Sequence, residues 1–535
     1  MKRIQSRLNI QSSEFKQYQA HNQRIVGQFH EKQRQARYER PQRDIDRLTK
    51  QNKMMPRERF ELLLDPGTPF LEFSSLAANM AYDGGAPSAS CISGIGVVGG
   101  REVMILASDS SVKGGAWYPL TVKKMVRALD IAIENRLPVI HMCDSAGGFL
   151  PLQSELFADK YMAGRIFRNQ TQLSKLGCKQ LSLVFGHCTA GGAYIPALSD
   201  YSVIVEGTGA VFLGGPALVK AATGEEVTVD ELGGARMHTS VSGTCDYYAR
   251  TEQDAIRIGR EIVMQWEQKP KFQLQREQPE DPYYDPTELY GIIPDDIKKQ
   301  FDMREVIARI VDGSRFSEYQ PNYGETIICG FANIQGYKVG ILGNNGVLFS
   351  DSSLKAAHFM ELCNQNHTPL VFLQNITGFM VGKEYERTGI TKDGAKMLMV
   401  QACSEVPKFT VMTNGSFGAG NYGMCGRAFD SRTLFSWPNS EISVMGAEQA
   451  AGVLLTVKLA QLKKQGIEPD QKQLEDIQAE VMSNFESQTN AYFATSEIWD
   501  DGIIDPLATR NALAISIEAS LNVPFGDPNY GVLRL

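Results

Sequence analysis

A chain of 535 residues with 43% hydrophobic composition is too long for one ordinary core and calls for two or more domains. Its formal charge of -7 offers no general attraction to nucleic acid, and no uninterrupted apolar run reaches the length that spans a membrane. Nine cysteines without a CxxC pair fit a reducing compartment, and seven histidines without an HExxH pair leave no metal expected.

Residues 1–59 read as a polar helical arm interrupted at Pro41, with no apolar region of secretory length. A soluble intracellular protein is the expectation. The basic stretch from Arg34 to Lys53 carries Glu39, Asp44 and Asp46 and reads as a solvated helical face. In PRERFELLLDPG, Pro56 suits a first helical turn, Phe60, Leu63 and Leu64 supply the apolar stripe, and Asp65-Pro66-Gly67 ends it.

From Cys91 onward the chain is organised by an internal repeat. CISGIGVVGGREVMILASD from Cys91 has a counterpart in CGFANIQGYKVGILGNN from Cys329, and Gly94 and Gly100 precede Gly330 and Gly336 by 236 residues. Each copy predicts a hairpin. Next, VKKMVRALDIAIENRLPVIHMCDSAGGF matches LKAAHFMELCNQNHTPLVFLQNITGF at an offset of 231, pairing Lys124 with Lys355, Pro138 with Pro369 and Asp144 with Asn375. A third match joins CTAGGAYIP, from Cys188, to GSFGAGNYG, from Gly415. Helix, proline, buried strand and glycine loop recur in one order, which argues for duplication. The expected fold is α/β, with stacked β-β-α units on sheets and chemistry on the loops at strand ends. The halves are placed at 60–290 and 320–535, joined by a linker at 291–319 that continues the proline-rich, charged stretch KPKFQLQREQPEDPYYDPTELYGIIPDD.

Gly191-Gly192-Ala193 and Gly418-Ala419-Gly420 leave backbone amides unobstructed where an apolar strand gives way to a helix, which suits an oxyanion hole in each half. Two such cradles imply two carbonyl-type oxygens brought face to face. Gly114-Gly115, Gly147-Gly148 and Gly214-Gly215 are equally open to being ligand-channel walls or turns. None of these loops forms GxxxxGK[ST] or an intact GxGxxG after a strand. Ser145 lacks a GxSxG elbow and reads as a turn serine, and His187 beside Cys188 points to the opposite face of an extended chain. No convincing side-chain proton carrier remains.

These motifs resemble the carboxyltransferase subunits of biotin-dependent acyl-CoA carboxylases, and most closely the β subunits of methylcrotonyl-CoA and geranyl-CoA carboxylases. The resemblance runs from PRERFELLLDPG onward through KGGAWYPLTVKK, CTAGGAYIPALSD, GPALVKAATGEEV, VFLQNITGFMVG, GAGNYGMCGRAFD, ISVMGAEQAA and WDDGIIDP. It implies tandem crotonase-like domains, an acyl-CoA side in the first half and a biotin side in the second. Gly191 and Gly192 would hold the thioester oxygen, and Ala419 and Gly420 the ureido oxygen of biotin, with Phe417, Gly418 and Asn421 beside it. Lys113, Gly114, Gly115, Gly147, Gly148, Ala163, Gly164, Ala193, Gly214 and Gly215 would contact the acyl-CoA.

The family's mechanism uses carboxybiotin both as carboxyl donor and as the source of the base. Biotin arrives on a biotin carboxylase/carboxyl carrier α subunit, because Ala395-Lys396-Met397 resembles an attachment sequence only superficially and no ATP-binding domain is present. Six copies would form a β6 core within an α6β6 complex, in the cytoplasm of a bacterium or the mitochondrial matrix of a eukaryote, each site lying between the first half of one copy and the second half of another. The first expected substrate is 3-methylcrotonyl-CoA, carboxylated to 3-methylglutaconyl-CoA. Ala163, however, stands before GRIF where methylcrotonyl-type subunits have an aromatic residue, so geranyl-CoA or another longer branched enoyl-CoA stays open, with Tyr161 and Met162 available to fill the space. A biotin-coupled acyl-CoA decarboxylase subunit and a scaffold for a biotinylated chain rank below.

Overall fold

The computed structural model describes residues 1–268, 270–465 and 471–535. The arm comprises strand β1 (Lys2–Arg3) and helices α1 (Ser13–Tyr38) and α2 (Gln42–Lys50), with Pro41 capping the second. It is followed by α3 (Pro56–Leu63), whose proline occupies the first turn.

One eight-stranded sheet is built from β2 (Leu71–Phe73), β3 (Cys91–Val98), β4 (Arg101–Ser108), β5 (Val139–Ser145), β6 (Gln180–Thr189), β7 (Tyr201–Val205) and β9 (Tyr247–Ala249) in that order, with β8 (Ala210–Phe212) on the end of β6. Helices α4 (Pro119–Glu134), α5 (Ala163–Lys175), α6 (Pro216–Thr223) and α7 (Glu252–Met264) complete this half. The second eight-stranded sheet runs β1, β10 (Arg315–Tyr319), β11 (Ile327–Ile334), β12 (Tyr337–Asn344), β13 (Leu370–Ile376), β14 (Lys408–Phe417) and β15 (Thr433–Ser436), with β16 (Glu441–Ser443) on the end of β14. Its helices include α8 (Met303–Ala308), α9 (Ser350–Gln365), α10 (Gly418–Gly423), α11 (Ala447–Lys464), α12 (Gln471–Thr489) and α13 (Thr509–Ser520). Both sheets are mixed, with antiparallel hairpins leading into parallel strands.

The repeat extends to single hydrogen bonds. The hairpin turns Gly99-Gly100 and Gln335-Gly336 have positive φ throughout, and the carboxylates of Asp65 and Asp312 accept from the two turn amides in each copy. Lys124 and Lys355 are buried, and each donates to the carbonyl at the start of its hairpin, Cys91 at 2.6 Å and Ile327 at 2.8 Å. Each lysine thereby supplies donors that strand carbonyls away from water would otherwise lack. The pairings of β5 with β6 and of β13 with β14 both shift register across Asp144 and Asn375, so the strands bulge where they leave the core.

Two expectations change. The 291–319 segment is not a surface linker: Met303, Val306, Ile307, Ile310 and Val311 are buried in the core of the second half, because their apolar spacing continues through α8. Of the proline-rich stretch before it, Lys269 lies outside the described residues, while Phe272 and Leu274 pack on that same core. The basic stretch of the arm is a solvated face only in part: Arg34, Arg43 and Lys50 are exposed, but other cations turn inward. Arg40 bonds Ser111 and Asp109, Arg47 bonds the Ser110 carbonyl, and Lys53 reaches Asp144, since each cation faces acceptors on the first half. The start of the arm lies instead on the second half, where Lys2 and Arg3 pair with β10 and the Asn22 amide donates to the Tyr290 and Ile293 carbonyls.

Between the halves, the buried Asp501 carboxylate accepts from Arg127 of α4 at 2.9 and 3.0 Å and from Arg427 at 2.6 Å. The two arginines hold it well below the usual carboxylate range against the opposing effect of burial. Helix α13 contributes Ala512 and Ala519 to the first core and Leu513 and Ile517 to the second.

Candidate active site

In an open sheet of parallel strands, ligands meet the loops at the carboxyl ends. In the first half those ends are tied together by backbone bonds. Ala146 donates to the Gly114 carbonyl at 3.0 Å, Trp117 to that of Gly147 at 2.9 Å, and Phe149 to that of Trp117 at 2.9 Å. Gly115 has φ +70, and a Cβ there would overlap the Asp144 carbonyl. Ser145 is the turn serine expected: its buried hydroxyl donates to the Gly115 carbonyl at 2.6 Å and accepts from the Gly147 amide at 3.1 Å.

Strand β6 ends beside this pair of loops. Ala190 has φ +53 and opens a tight turn over Ala190–Ala193, whose first amides have no carbonyl of their own turn to bond. A Cβ on Gly147 would lie 3.6 Å from the Thr189 carbonyl, one on Gly192 4.0 Å from Trp117 Cζ2, and one on Gly191 3.3 Å from Phe167 Cζ. The ring of Phe167, one turn along α5 from Ala163 and Gly164, meets Tyr194 edge-on at 5.8 Å. Lys113 to Gly115, Gly147, Gly148, Gly191 to Ala193 and the first turn of α5 therefore share one end of the sheet. Gly214 and Gly215 follow β8 at the same edge, but their nearest neighbours are Leu218 and Phe212, so they serve the start of α6. Near Ala163, Met162 packs on the core, whereas Tyr161 is exposed and flanked by Lys160 and Arg165.

Behind these loops lies a charge cluster that the sequence did not reveal. Asp144 accepts from Lys53 at 2.8 Å and from Arg59 at 3.2 Å, and Arg59 also holds Glu252 at 2.7 Å. Burial opposes ionisation of Asp144, but Arg59 and Lys53 outweigh it and keep its carboxyl below the ordinary range. A Cβ on Gly186 would overlap Asp144 Oδ1, so only glycine leaves room for the cluster. In the sequence Arg59 is hidden between the apolar positions of α3. The Asp144 carboxylate is thus committed to two cations. His187 is exposed, and burial of part of its ring together with Lys53 lowers its pKa, while Cys188 is buried and its thiol is held far up by its bond to Cys143 and by burial.

The second half repeats the loop geometry. Leu348 donates to the Gly378 carbonyl at 3.1 Å and Met380 to that of Leu348 at 2.8 Å, matching the Trp117 bonds. Strand β14 ends at Phe417, Gly418 has φ +57, and α10 begins. A Cβ on Gly420 would overlap Ile376 Cγ1 and sit 3.2 Å from Gly378 Cα, so this glycine brings the turn against the end of β13. Ala419 is exposed at the same turn. The side chains of Phe417 and Asn421 face inward instead. Phe417 lies over Gly415, and Asn421 donates to Ser416 Oγ at 2.7 Å, which donates to Gln374 at 2.6 Å. Only their backbone is left for a ligand.

Among the described residues there is no group of three or more His, Cys, Asp and Glu side chains suited to a metal ion, and no helix is long and apolar enough to cross a membrane.

A model of the carboxyl transferase domain matches residues 47–529. The chain is 48% identical to the probable methylcrotonoyl-CoA carboxylase beta chain, mitochondrial, of Drosophila melanogaster, over 99% of this chain and 95% of that one. It is also 48% identical to the biotin-dependent 3-methylcrotonyl-coenzyme A carboxylase beta1 subunit of Mycobacterium tuberculosis, over 96% and 97%. The crystal structure of the P. aeruginosa geranyl-CoA carboxylase beta subunit superposes with a TM-score of 0.88 at 39% identity, covering 99% of each chain.

Proposed function

The chain belongs to the carboxyl transferase domain family, and we propose that it is the β subunit of a biotin-dependent carboxylase acting on 3-methylcrotonyl-CoA. It transfers a carboxyl group to a branched acyl-CoA. The observation that carries the reading is the pair of turns opened by glycine and alanine at corresponding strand ends, Ala190–Ala193 and Gly418–Gly420. Identity of 48% to methylcrotonyl-type subunits against 39% to the geranyl-type subunit favours the shorter substrate.

In this reading each sheet with its helices is a crotonase-like domain, the first for acyl-CoA and the second for biotin. The amides of Gly191 and Gly192 hold the thioester oxygen as negative charge develops there, in a site whose hydrogen bonds need no reorganisation. Phe167 and Trp117 wall that turn and exclude water. The amides of Ala419 and Gly420 hold the ureido oxygen of biotin, and the close approach of Gly420 to Ile376 suits a cradle lined by backbone. Biotin, borne by an α subunit, supplies the carboxyl group and the proton acceptor. That division of labour agrees with Asp144, Ser145 and Cys188 all being committed to internal contacts. The complex is α6β6, in the bacterial cytoplasm or the mitochondrial matrix.

Two substitutions test the cradles. Gly191→Val and Ala419→Leu add bulk at half-buried and exposed positions, where folding tolerates it. Both should assemble with a biotinylated partner and lose carboxyl transfer in an ATP- and bicarbonate-dependent assay with 3-methylcrotonyl-CoA. Wild-type turnover in both variants rejects the two-cradle proposal.

A further inference from the structure

Resting on the reading that the turn Ala190–Ala193 holds the thioester oxygen, we propose that Gln170 is the positioning residue that fixes this turn against the wall of the acyl site. Ala190 has φ +53, a conformation costly for an L residue, so the turn needs support from its surroundings. The chain runs from it directly into the helical turn Tyr194–Ala197, and whatever fixes that helical turn fixes the aim of the Gly191 and Gly192 amides. Two contacts from α5 do so. The Phe167 ring lies against Gly191 and meets Tyr194 edge-on, and one turn further along the same helix the Gln170 side-chain amide donates to the Ile195 carbonyl at 3.1 Å.

Gln170 is fully buried, and its surroundings allow its amide one orientation. Nε2 also lies 3.4 Å from Nε2 of the buried His141 on β5, and turning the amide over would set its oxygen against the Ile195 carbonyl. Burial pushes His141 down to about 4, so its ring is neutral at ordinary pH and accepts. The backbone of Gln170 is held in turn, its carbonyl accepting from Gln180 Nε2 at the start of β6 at 2.8 Å. Helix α5, strand β6 and the turn that ends β6 are thereby one body. The second half reaches the same result from a strand: the fully buried Gln374 of β13 donates to the carbonyl of Met424, the residue after α10, at 2.8 Å. In each half one buried glutamine amide holds the segment that follows the glycine turn. Aim matters because an amide stabilises developing charge only within hydrogen-bond reach, and a displacement of about 1 Å costs on the order of a hundredfold in rate.

The test compares Gln170→Leu with Asn169→Leu in the assembled carboxylase. Asn169 is the matched control: it is equally buried on the same helix, and its amide donates to Asp130 of α4 at 2.8 Å instead of to the turn. Gln170→Leu should lower kcat for 3-methylcrotonyl-CoA at least about tenfold with KM within about twofold of wild type, whereas Asn169→Leu should keep kcat whatever it does to the melting temperature. Gln170→Asn, which keeps the amide but withdraws it by one carbon, should fall between wild type and Gln170→Leu. Affinity for the corresponding CoA thioether, which has no carbonyl oxygen to hold, should equal that of wild type in every variant. Wild-type kcat in Gln170→Leu, or in Gln170→Asn where the leucine variant does not assemble, overturns the assignment, as does an equal loss in Asn169→Leu or a parallel loss of thioether affinity. Those outcomes leave the functional reading standing. A wild-type complex that carboxylates no branched acyl-CoA removes that reading, and this inference with it.

Discussion

Replacing Asp144 by asparagine changes one buried charge while leaving shape almost intact. In the native cluster Lys53 and Arg59 face Asp144 and Glu252, and these side chains are 9%, 1%, 6% and 4% exposed. After Asp144→Asn, Arg59 keeps both of its bonds to Glu252, at 2.7 and 2.9 Å, but Lys53 loses its carboxylate. Removing one partner of a buried pair costs about 3–5 kcal/mol. Adding Lys53→Met restores neutrality and should recover roughly 2 kcal/mol as a coupling energy. The wild-type contribution of Asp144 is full above the ordinary carboxylate pKa near ~4 and is lost as pH falls through its depressed folded value, so wild type and variant should converge in acid. Urea unfolding of the four members of the cycle measures the energies. In parallel, KM for acyl-CoA should rise in the single variant, because Asp144 anchors the strand end that Ser145 and Gly115 build on, while KM for the biotinylated partner stays. A single variant with the wild-type midpoint, or a double variant no better than the single, refutes the cluster as the anchor.

Three other perturbations have distinct signatures. Gly420→Ala forces a Cβ into the fully buried Ile376 and should cost about 1–3 kcal/mol, whereas Gly191→Ala meets only the edge of Phe167 at 3.3 Å and should melt like wild type; equal melting temperatures contradict this. Lys124→Met deprives three carbonyls, of Ser74, Ser88 and Cys91, of their donor and should destabilise more than Lys355→Met, which deprives Ile327 and the more distant Gly324. Burial pushes Lys124 down from 10.5 to about 8, so the folded state sheds this proton first and stability attributable to it should rise between those values, by about 1.4 kcal/mol per pH unit, in wild type but not in Lys124→Met. Ala163→Phe should shift the ratio of carboxylation rates toward methylcrotonyl-CoA and away from geranyl-CoA, and an unchanged ratio removes Ala163 from the account of specificity.

The duplicated elements were legible because each is specified locally. Gly99-Gly100 and Gln335-Gly336 encode their turns, Pro138 and Pro369 stand immediately before their strands, and the helices between them carry their own apolar spacing. The glycine turns that follow β6 and β14 could be read for the same reason. Charge pairing across long separations could not. Arg59 lies 85 residues from Asp144 and 193 from Glu252, and nothing within α3 marks it as more than a polar position between apolar ones. The segment 303–311 was misjudged through its neighbourhood, as prolines and charges before it obscured a short apolar helix. Phe167 was within reach, since it follows Ala163 by one helical turn, but only the fold brings its ring to Gly191.

The two halves keep the bulge at the end of the central strand and differ in what holds it. Asp144 is fixed by cations, one of which comes from the arm, and Gly186 leaves them room. In the second half Asn375 takes the place of Asp144, and Asn414, preceding the pairing with β16 as Gly186 precedes that with β8, fills the space with an amide. Asn344, Asn375, Asn414 and Asn439 then form a ladder of bonds at 3.1 and 3.2 Å that needs no partner from outside its half. An amide ladder is neutral at every accessible pH, while the ion cluster depends on ionised groups and on the seating of the arm. Displacing the arm should therefore disturb the turn that follows β6, through Lys53 and Asp144, and spare the turn that follows β14.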